Sequence, residues 1–371
     1  MSSQGGCCQN VELFDLRAVK SPPWVKGFIT TAAGSIPVVP AMWSRSERRG
    51  RLKCRLFNAH RMNYTVDPGI YAVGAPDRRS PVLVTANYKL SFDLLRKELT
   101  GIDAWILVLN TRGINVWCAA GKGTFGTEEL INRIRATRLD EIVEHRRLIL
   151  PQLGAPGVQA HIVKEHTGFA VAYGPVYARD LPAYLLAGGK ATAKMREVRF
   201  GFRERLELTP MEIVPALKGF LIFLAAVFVL FGLQPQGILF RSIASSGIPV
   251  MILGAAALLA STFLTPLLLP WIPFRSFALK GFLVSGVTTA LLVVLMRGQA
   301  LESAYLLAFS LVFFPAAGSY LALQFTGSTS FTSISGVRKE LKFALPLYIG
   351  AGGVSLILFV LYKLQEWGIG L

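Results

Sequence analysis

Cys118 and Lys122 stand four residues apart in the segment Asn115-Val116-Trp117-Cys118-Ala119-Ala120-Gly121-Lys122-Gly123-Thr124-Phe125-Gly126-Thr127. On a helix this spacing puts a thiol and an ammonium on one side. A neighbouring cation and free amides favour the thiolate, the nucleophilic and metal-binding form of cysteine. Small residues around Cys118 and Gly121 leave room for a large flat ligand to approach the backbone. A free cysteine is most often a small buried hydrophobe, so it is the company of Trp117, the small residues and Lys122 that sets this one apart. The segment is not a phosphate loop. That motif needs four residues between its glycines and Ser or Thr directly after Lys, whereas seven residues separate Gly113 from Gly121, and Gly123 follows Lys122. The other cysteines, Cys7, Cys8 and Cys54, form no CxxC pair. A zinc ribbon, a cluster ferredoxin and a disulfide scaffold are excluded.

Alternating elements are expected to hold this segment. Pro81–Ala86, Trp105–Leu109, Leu148–Leu150 and Phe169–Tyr173 read as strands. Leu90–Leu99, Glu128–Ala136, Gly157–Glu165 and Leu181–Ala187 read as helices, with Thr127 as a helix cap. Strands alternating with helices indicate a doubly wound α/β domain with a mostly parallel sheet. Ligands bind such sheets outside the carboxyl ends of the strands, which is where the Cys118 segment falls, after Leu109. This domain is assigned to residues 81–210. Residues 1–80 are left as an N-terminal extension of uncertain structure, with a basic run at Arg45-Ser46-Glu47-Arg48-Arg49-Gly50-Arg51 suited to solvent or to anionic lipid. No recognition motif for nucleic acid accompanies that run.

The chain divides sharply in polarity. It has 371 residues, 39 basic against 22 acidic, and a net charge of +17. Residues 1–215 hold 30 of the basic and 19 of the acidic residues. Beyond them lie five apolar runs, at 213–233, 247–269, 276–296, 303–325 and 343–362, each near the ~20 residues needed to cross a bilayer. Residues 211–371 are therefore read as an all-α membrane domain of five transmembrane helices. Arg275, Lys280, Arg338, Lys339 and Lys342 fall in or beside loops on one side and Arg241, Arg297 and Lys363 on the other. That bias places the N-terminal half in the cytoplasm and the C-terminus outside. Ala216–Leu221 recurs as Ala278–Leu283, and Lys218, Lys280 and Lys342 are spaced by 62 residues, which suggests an internal duplication. No Asp, Glu or His lies within the runs, so anchoring is favoured over transport. A transporter with a regulatory α/β domain is the competing reading.

The stretch from Gly113 to Lys122 resembles the cap-helix motif of the mercury-methylation corrinoid protein, a membrane-anchored relative of the corrinoid iron–sulfur protein large subunit. Gly168-Phe169-Ala170-Val171-Ala172-Tyr173-Gly174-Pro175-Val176-Tyr177-Ala178-Arg179-Asp180-Leu181-Pro182 resembles the corrinoid domain of the corrinoid iron–sulfur protein of acetyl-CoA metabolism. The resemblance implies a Rossmann-like corrinoid-binding domain, a corrinoid (cobalamin) cofactor, and Cys118 as the lower axial ligand of cobalt. The Asp-x-His-x-x-Gly corrinoid signature is absent. The implied cofactor-binding residues are Asn115, Val116, Trp117, Cys118, Ala119, Ala120, Gly121, Lys122, Gly123, Thr124, Phe125 and Thr127, with Gly174 and Pro175 lining a tail pocket.

By the same resemblance the chain is expected to be an inner-membrane methyltransferase that passes methyl from cobalt to Hg(II), forming methylmercury. Hg(II) is an electrophile, and a thiolate trans to the methyl group pushes electron density toward the polarity this transfer requires. The implied partners are a ferredoxin-like 4Fe-4S electron donor, a methyl-folate-dependent donor system, Hg(II) as substrate and membrane lipid, without nucleic acid. The vicinal Cys7 and Cys8 are further candidates for Hg(II). The alternative is a membrane-bound corrinoid methyl carrier in one-carbon metabolism with another acceptor.

Overall fold

A computed structural model describes residues 22–238, 240–296, 302–329 and 331–369. Apart from Arg55–Phe57, contacts divide the chain into an α/β unit ending at Val198 and a helical unit from Arg199. In the first unit the elements follow as β1 (Gly27–Thr31), β2 (Gly34–Val39), α1 (Arg45–Leu56), α2 (Asn58–Asn63), β3 (Gly69–Val73), β4 (Val82–Ala86) and α3 (Lys89–Lys97). Then come β5 (Ala104–Leu109), α4 (Val116–Lys122), α5 (Thr127–Ala136), α6 (Leu139–Ile142), β6 (Arg147–Leu150), α7 (Ala160–Thr167), β7 (Ala170–Tyr173) and α8 (Leu181–Leu186).

The seven strands form one mixed sheet in the order β1-β2-β3-β5-β4-β6-β7. The strands β5, β4, β6 and β7 are mutually parallel, whereas β3 runs antiparallel to β5 and β1 antiparallel to β2. The sheet is thus less uniformly parallel than expected. Residues 22–80 are not separate from it, because they contribute β1, β2 and β3. Every residue of β4 and β5 is buried, which explains why both read as unbroken apolar runs. Val82, Val84, Trp105, Leu107 and Leu109 face a core shared with Ala119, Phe125, Leu130, Val163 and Phe169. Leu83, Ile106 and Val108 face the opposite core with Phe92, Leu95, Leu99 and Tyr184. The helix expected at Gly157–Glu165 starts later, at Ala160, because Gln152–Gly157 forms a 3₁₀ turn around Pro156.

A buried ionic cluster fastens α1 to α3. Arg96 pairs with Glu47 and, at 2.9 Å, with Asp93, and Lys89 Nζ lies 2.8 Å from Asp93. Burial lowers the Lys89 pKa from its ordinary value, and the Asp93 carboxylate opposes that shift. Such a cluster holds as a unit, since removing one partner strands the others in a dry interior.

Among the described residues the helical unit contains five helices long and apolar enough to cross a membrane: α9 (Phe202–Gly232), α10 (Phe240–Leu268), α11 (Phe277–Met296), α12 (Ala304–Gln324) and α13 (Ile334–Glu366). The first and last extend well beyond the expected runs, through polar turns that hydropathy does not mark. Two π-helical turns in α10, Ile243–Gly247 and Ala260–Leu264, precede Pro249 and Pro266. They contain the Ser245 and Thr262 carbonyls that those prolines cannot serve with an N–H. The helices α11 and α12 cross closely at Gly281 and Gly318. A Cβ on Gly281 would run into Ala322 and lie 3.1 Å from the Gly318 oxygen. Ser285 donates to the Phe314 carbonyl at 3.0 Å across this crossing. The suggested repeat occupies dissimilar places. Lys280 sits buried in the first turn of α11, donating to the Leu269 carbonyl at 2.6 Å, whereas Lys218 is exposed in the middle of α9.

Candidate functional site

The connection from β5 to α4 is tightly determined. Asn87, buried just beyond β4, accepts hydrogen bonds on one oxygen from the Thr111 amide (3.0 Å) and the Gly113 amide (2.9 Å), with the Thr111 hydroxyl 2.9 Å away. Glu129 of α5 accepts from the Asn110 amide at 2.7 Å while pairing with Arg133 at 2.8 Å. Between these anchors Arg112 and Gly113 both adopt left-handed backbone, at φ 57° and 73°. A non-glycine residue in that region carries strain, and the surrounding hydrogen bonds hold it there.

Asn115 then caps α4, its side-chain oxygen accepting from the Cys118 amide at 2.9 Å, and Gly123 ends the helix at φ 80°. The cap means that the amide of Cys118 is already satisfied and is not one of the free amides expected around the thiol. The helix turns Val116, Ala119 and Ala120 into the core. Trp117 is 47% exposed. Cys118 is half-buried and among the described residues has no disulfide partner, and Gly121, Lys122 and Gly123 are exposed. The result is a short shelf with one thiol, one indole and no side chain at Gly121.

An apolar cleft of about 360 Å³ lies beside the shelf, at the carboxyl ends of β4, β6 and β7. Here β4 and β6 are neighbours whose onward connections leave in opposite directions, the place where open α/β sheets receive ligands. Asn115, Val116, Trp117, Gly174 and Pro175 line it, as do Thr85, Ser91, Leu94, Pro151 and Tyr177. The latter five, and Asn87, were not picked out from sequence. Their signal was position alone, at or just beyond strand ends and on the facing helix.

Other expected site residues have supporting positions. Phe125 is fully buried, and a Cβ on Gly157 would run into its carbonyl. Thr127 is not the cap of α5, which is Gly126. Its hydroxyl instead accepts from the Gln159 amide at 2.9 Å. Thr124 is half-buried under the end of α4. Tyr173 donates to the Val158 carbonyl at 2.7 Å, and burial raises its phenol pKa. Cys7 and Cys8 lie outside the described residues.

The donor set limits the metal chemistry. Among the described residues no group of three or more His, Cys, Asp or Glu could hold a metal ion. Cys118 is a single soft donor on an open shelf. A single donor of this kind can serve only a metal that brings its other ligands with it.

Comparison with known proteins locates the similarity in this unit. Residues 51–185 match the family CO dehydrogenase/acetyl-CoA synthase delta subunit. Over 122 residues the chain is 36% identical to the acetyl-CoA decarbonylase/synthase complex subunit gamma of Methanopyrus kandleri, covering 32% of this chain and 26% of that one. It is 32% identical over 136 residues to the corresponding subunit of Archaeoglobus fulgidus, covering 36% and 28%. Subunit gamma 2 of Methanosarcina thermophila is 31% identical over 133 residues, covering 35% and 28%. The chain spans little more than a quarter of the length of these relatives. The matches overturn the expectation drawn from the cap motif. Mercury methylation falls, and with it the Hg(II)-directed methyltransferase, Hg(II) as substrate, and the ferredoxin and methyl-folate partners. What residues 51–185 are similar to is the acetyl-CoA synthase and decarbonylase subunits.

Proposed function

We propose that the α/β unit is a doubly wound, Rossmann-like corrinoid-binding domain serving as a one-carbon carrier in acetyl-CoA-type metabolism. The observation that carries this reading is Cys118: a lone soft donor on an exposed shelf beside an apolar cleft, within the segment similar to acetyl-CoA decarbonylase/synthase subunits. When bound, the corrinoid supplies a cobalt centre able to carry a methyl group. Cys118 Sγ would be the protein's donor to it and must be deprotonated to bind. Lys122, one turn along the same exposed face, adds positive charge near that sulfur. Trp117 would screen the shelf from water, and the absent side chain at Gly121 admits a flat ring. The cleft between Thr85, Leu94, Pro151 and Gly174 would hold part of the cofactor.

The partners of such a carrier would be other subunits of an acetyl-CoA decarbonylase/synthase-type assembly. The five apolar helices would be transmembrane spans that fix the carrier to a cytoplasmic membrane. The distribution of Lys and Arg supports the α/β unit on the cytoplasmic side and the C-terminus outside.

The visible spectrum of the full chain in detergent with methylcobalamin tests this, for wild type and Cys118→Ala. The expected result is a base-off spectrum in both, with a thiolate-dependent shift in wild type only. Identical spectra would remove the ligand role of Cys118. Absence of binding by either folded protein would overturn the corrinoid reading.

A further inference from the structure

We propose that the outward face of α1 is a docking surface for anionic lipid headgroups, an inference that rests on the reading of the five apolar helices as membrane spans. Arg45, Arg48, Arg49, Leu52 and Lys53 recur at helical spacing along one face, and all are exposed. The rotation of the helix is fixed by what lies behind it. Glu47, Gly50 and Cys54 are buried. A side chain at Gly50 would run into the Tyr64 hydroxyl. Glu47, the sole acidic residue of α1, is consumed by Arg96 in the buried cluster. Four cations therefore face outward from α1 with no carboxylate among them.

Apolar side chains protrude singly between and beside these cations. Leu52 is 59% exposed and Met42 75%. Met42 and Trp43, with Arg48, Arg51 and Lys97, border a concavity of about 550 Å³. Arg51 and Lys97 each lie 5.8 Å from the Trp43 ring, whose Nε1 donates to the Asp93 carbonyl. The indole is thus committed to cations and backbone rather than offered for base stacking. Scattered methionine and leucine among outward-facing cations is the pattern of a surface that attracts anionic headgroups and inserts a few apolar groups between them. The tether to bilayer-length helices keeps this face at high effective concentration near lipid.

The test is hydrogen exchange of residues 45–56 in the full chain, held in nanodiscs of phosphatidylcholine alone or mixed with phosphatidylglycerol. Exchange is expected to slow about tenfold in the anionic discs. High salt should abolish that effect. So should the combined substitutions Arg48→Glu, Arg49→Glu and Lys53→Glu, which should leave exchange in neutral discs unchanged. The salt response of wild type reads the same point without any variant. Lipid-independent exchange in a chain that incorporates normally overturns this inference and leaves the spans standing. Failure to incorporate overturns both. Protection produced in neutral discs by added polyglutamate, but not by phosphatidylglycerol, would give the face to an acidic protein and overturn the lipid assignment.

Discussion

Replacing Asn87 with Ala removes the acceptor that holds the β5–α4 connection. The Thr111 and Gly113 amides would lose their partner, and both residues are buried. A buried amide left without a partner costs about 1–2 kcal/mol, so about 2–4 kcal/mol is expected from the two. The loss falls on a loop that already holds left-handed Arg112, so the loop should open before the sheet does. That energy corresponds to roughly 30- to 1,000-fold faster exchange of amides 111–113. Hydrogen exchange resolved to this peptide measures it directly, and titration with cobalamin reports the consequence for the shelf as weakened binding. Asn87→Asp keeps an oxygen acceptor in place and should return most of the protection. Wild-type exchange in Asn87→Ala would refute the reasoning, as would faster exchange spread evenly through β4 and β5, because either result would mean that Asn87 does not hold this loop in particular.

Two further substitutions test close approaches. Gly157→Ala forces a methyl group against the Phe125 carbonyl and the backbone of Ala120. It should destabilise the α/β unit by about 1–3 kcal/mol in denaturant melts, whereas Gly121→Ala, with nothing within 4 Å, should leave stability unchanged. In the helical unit Gly281→Ala should lower the thermal stability of the detergent-solubilised chain. Gly219→Ala, the equivalent position in the sequence echo, meets nothing within 4 Å and should not.

The parallel half of the sheet was legible because β4 and β5 are buried on both faces and announce themselves as apolar runs. The strands β1–β3 were not. They are short, carry Gly27, Gly34, Pro37 and Gly69, and gain strand character only from their neighbours. Cys118 stood out by its residue type. Asn87 could not, because an asparagine after a strand looks like any turn residue until the amides it serves are in place. The cap of α5 was misassigned for a related reason. Thr127 has the right side chain, but its hydroxyl serves the Gln159 amide from across the fold. One short motif carries less information about family than the domain around it. The matched stretch, residues 51–185, contains that motif together with five strands of its surroundings, β3 to β7, and the comparison follows the whole.

The division of labour along α4 has an evolutionary corollary. Val116, Ala119 and Ala120 secure the helix from beneath, Asn115 and Gly123 secure its ends, and the residues on its upper side contribute little to the fold. Residue 118 can therefore change identity at small penalty to stability. A lineage could replace one side chain there with another, or remove it altogether, and inherit an intact scaffold, so that under the carrier reading proposed above a single codon would choose the donor atom.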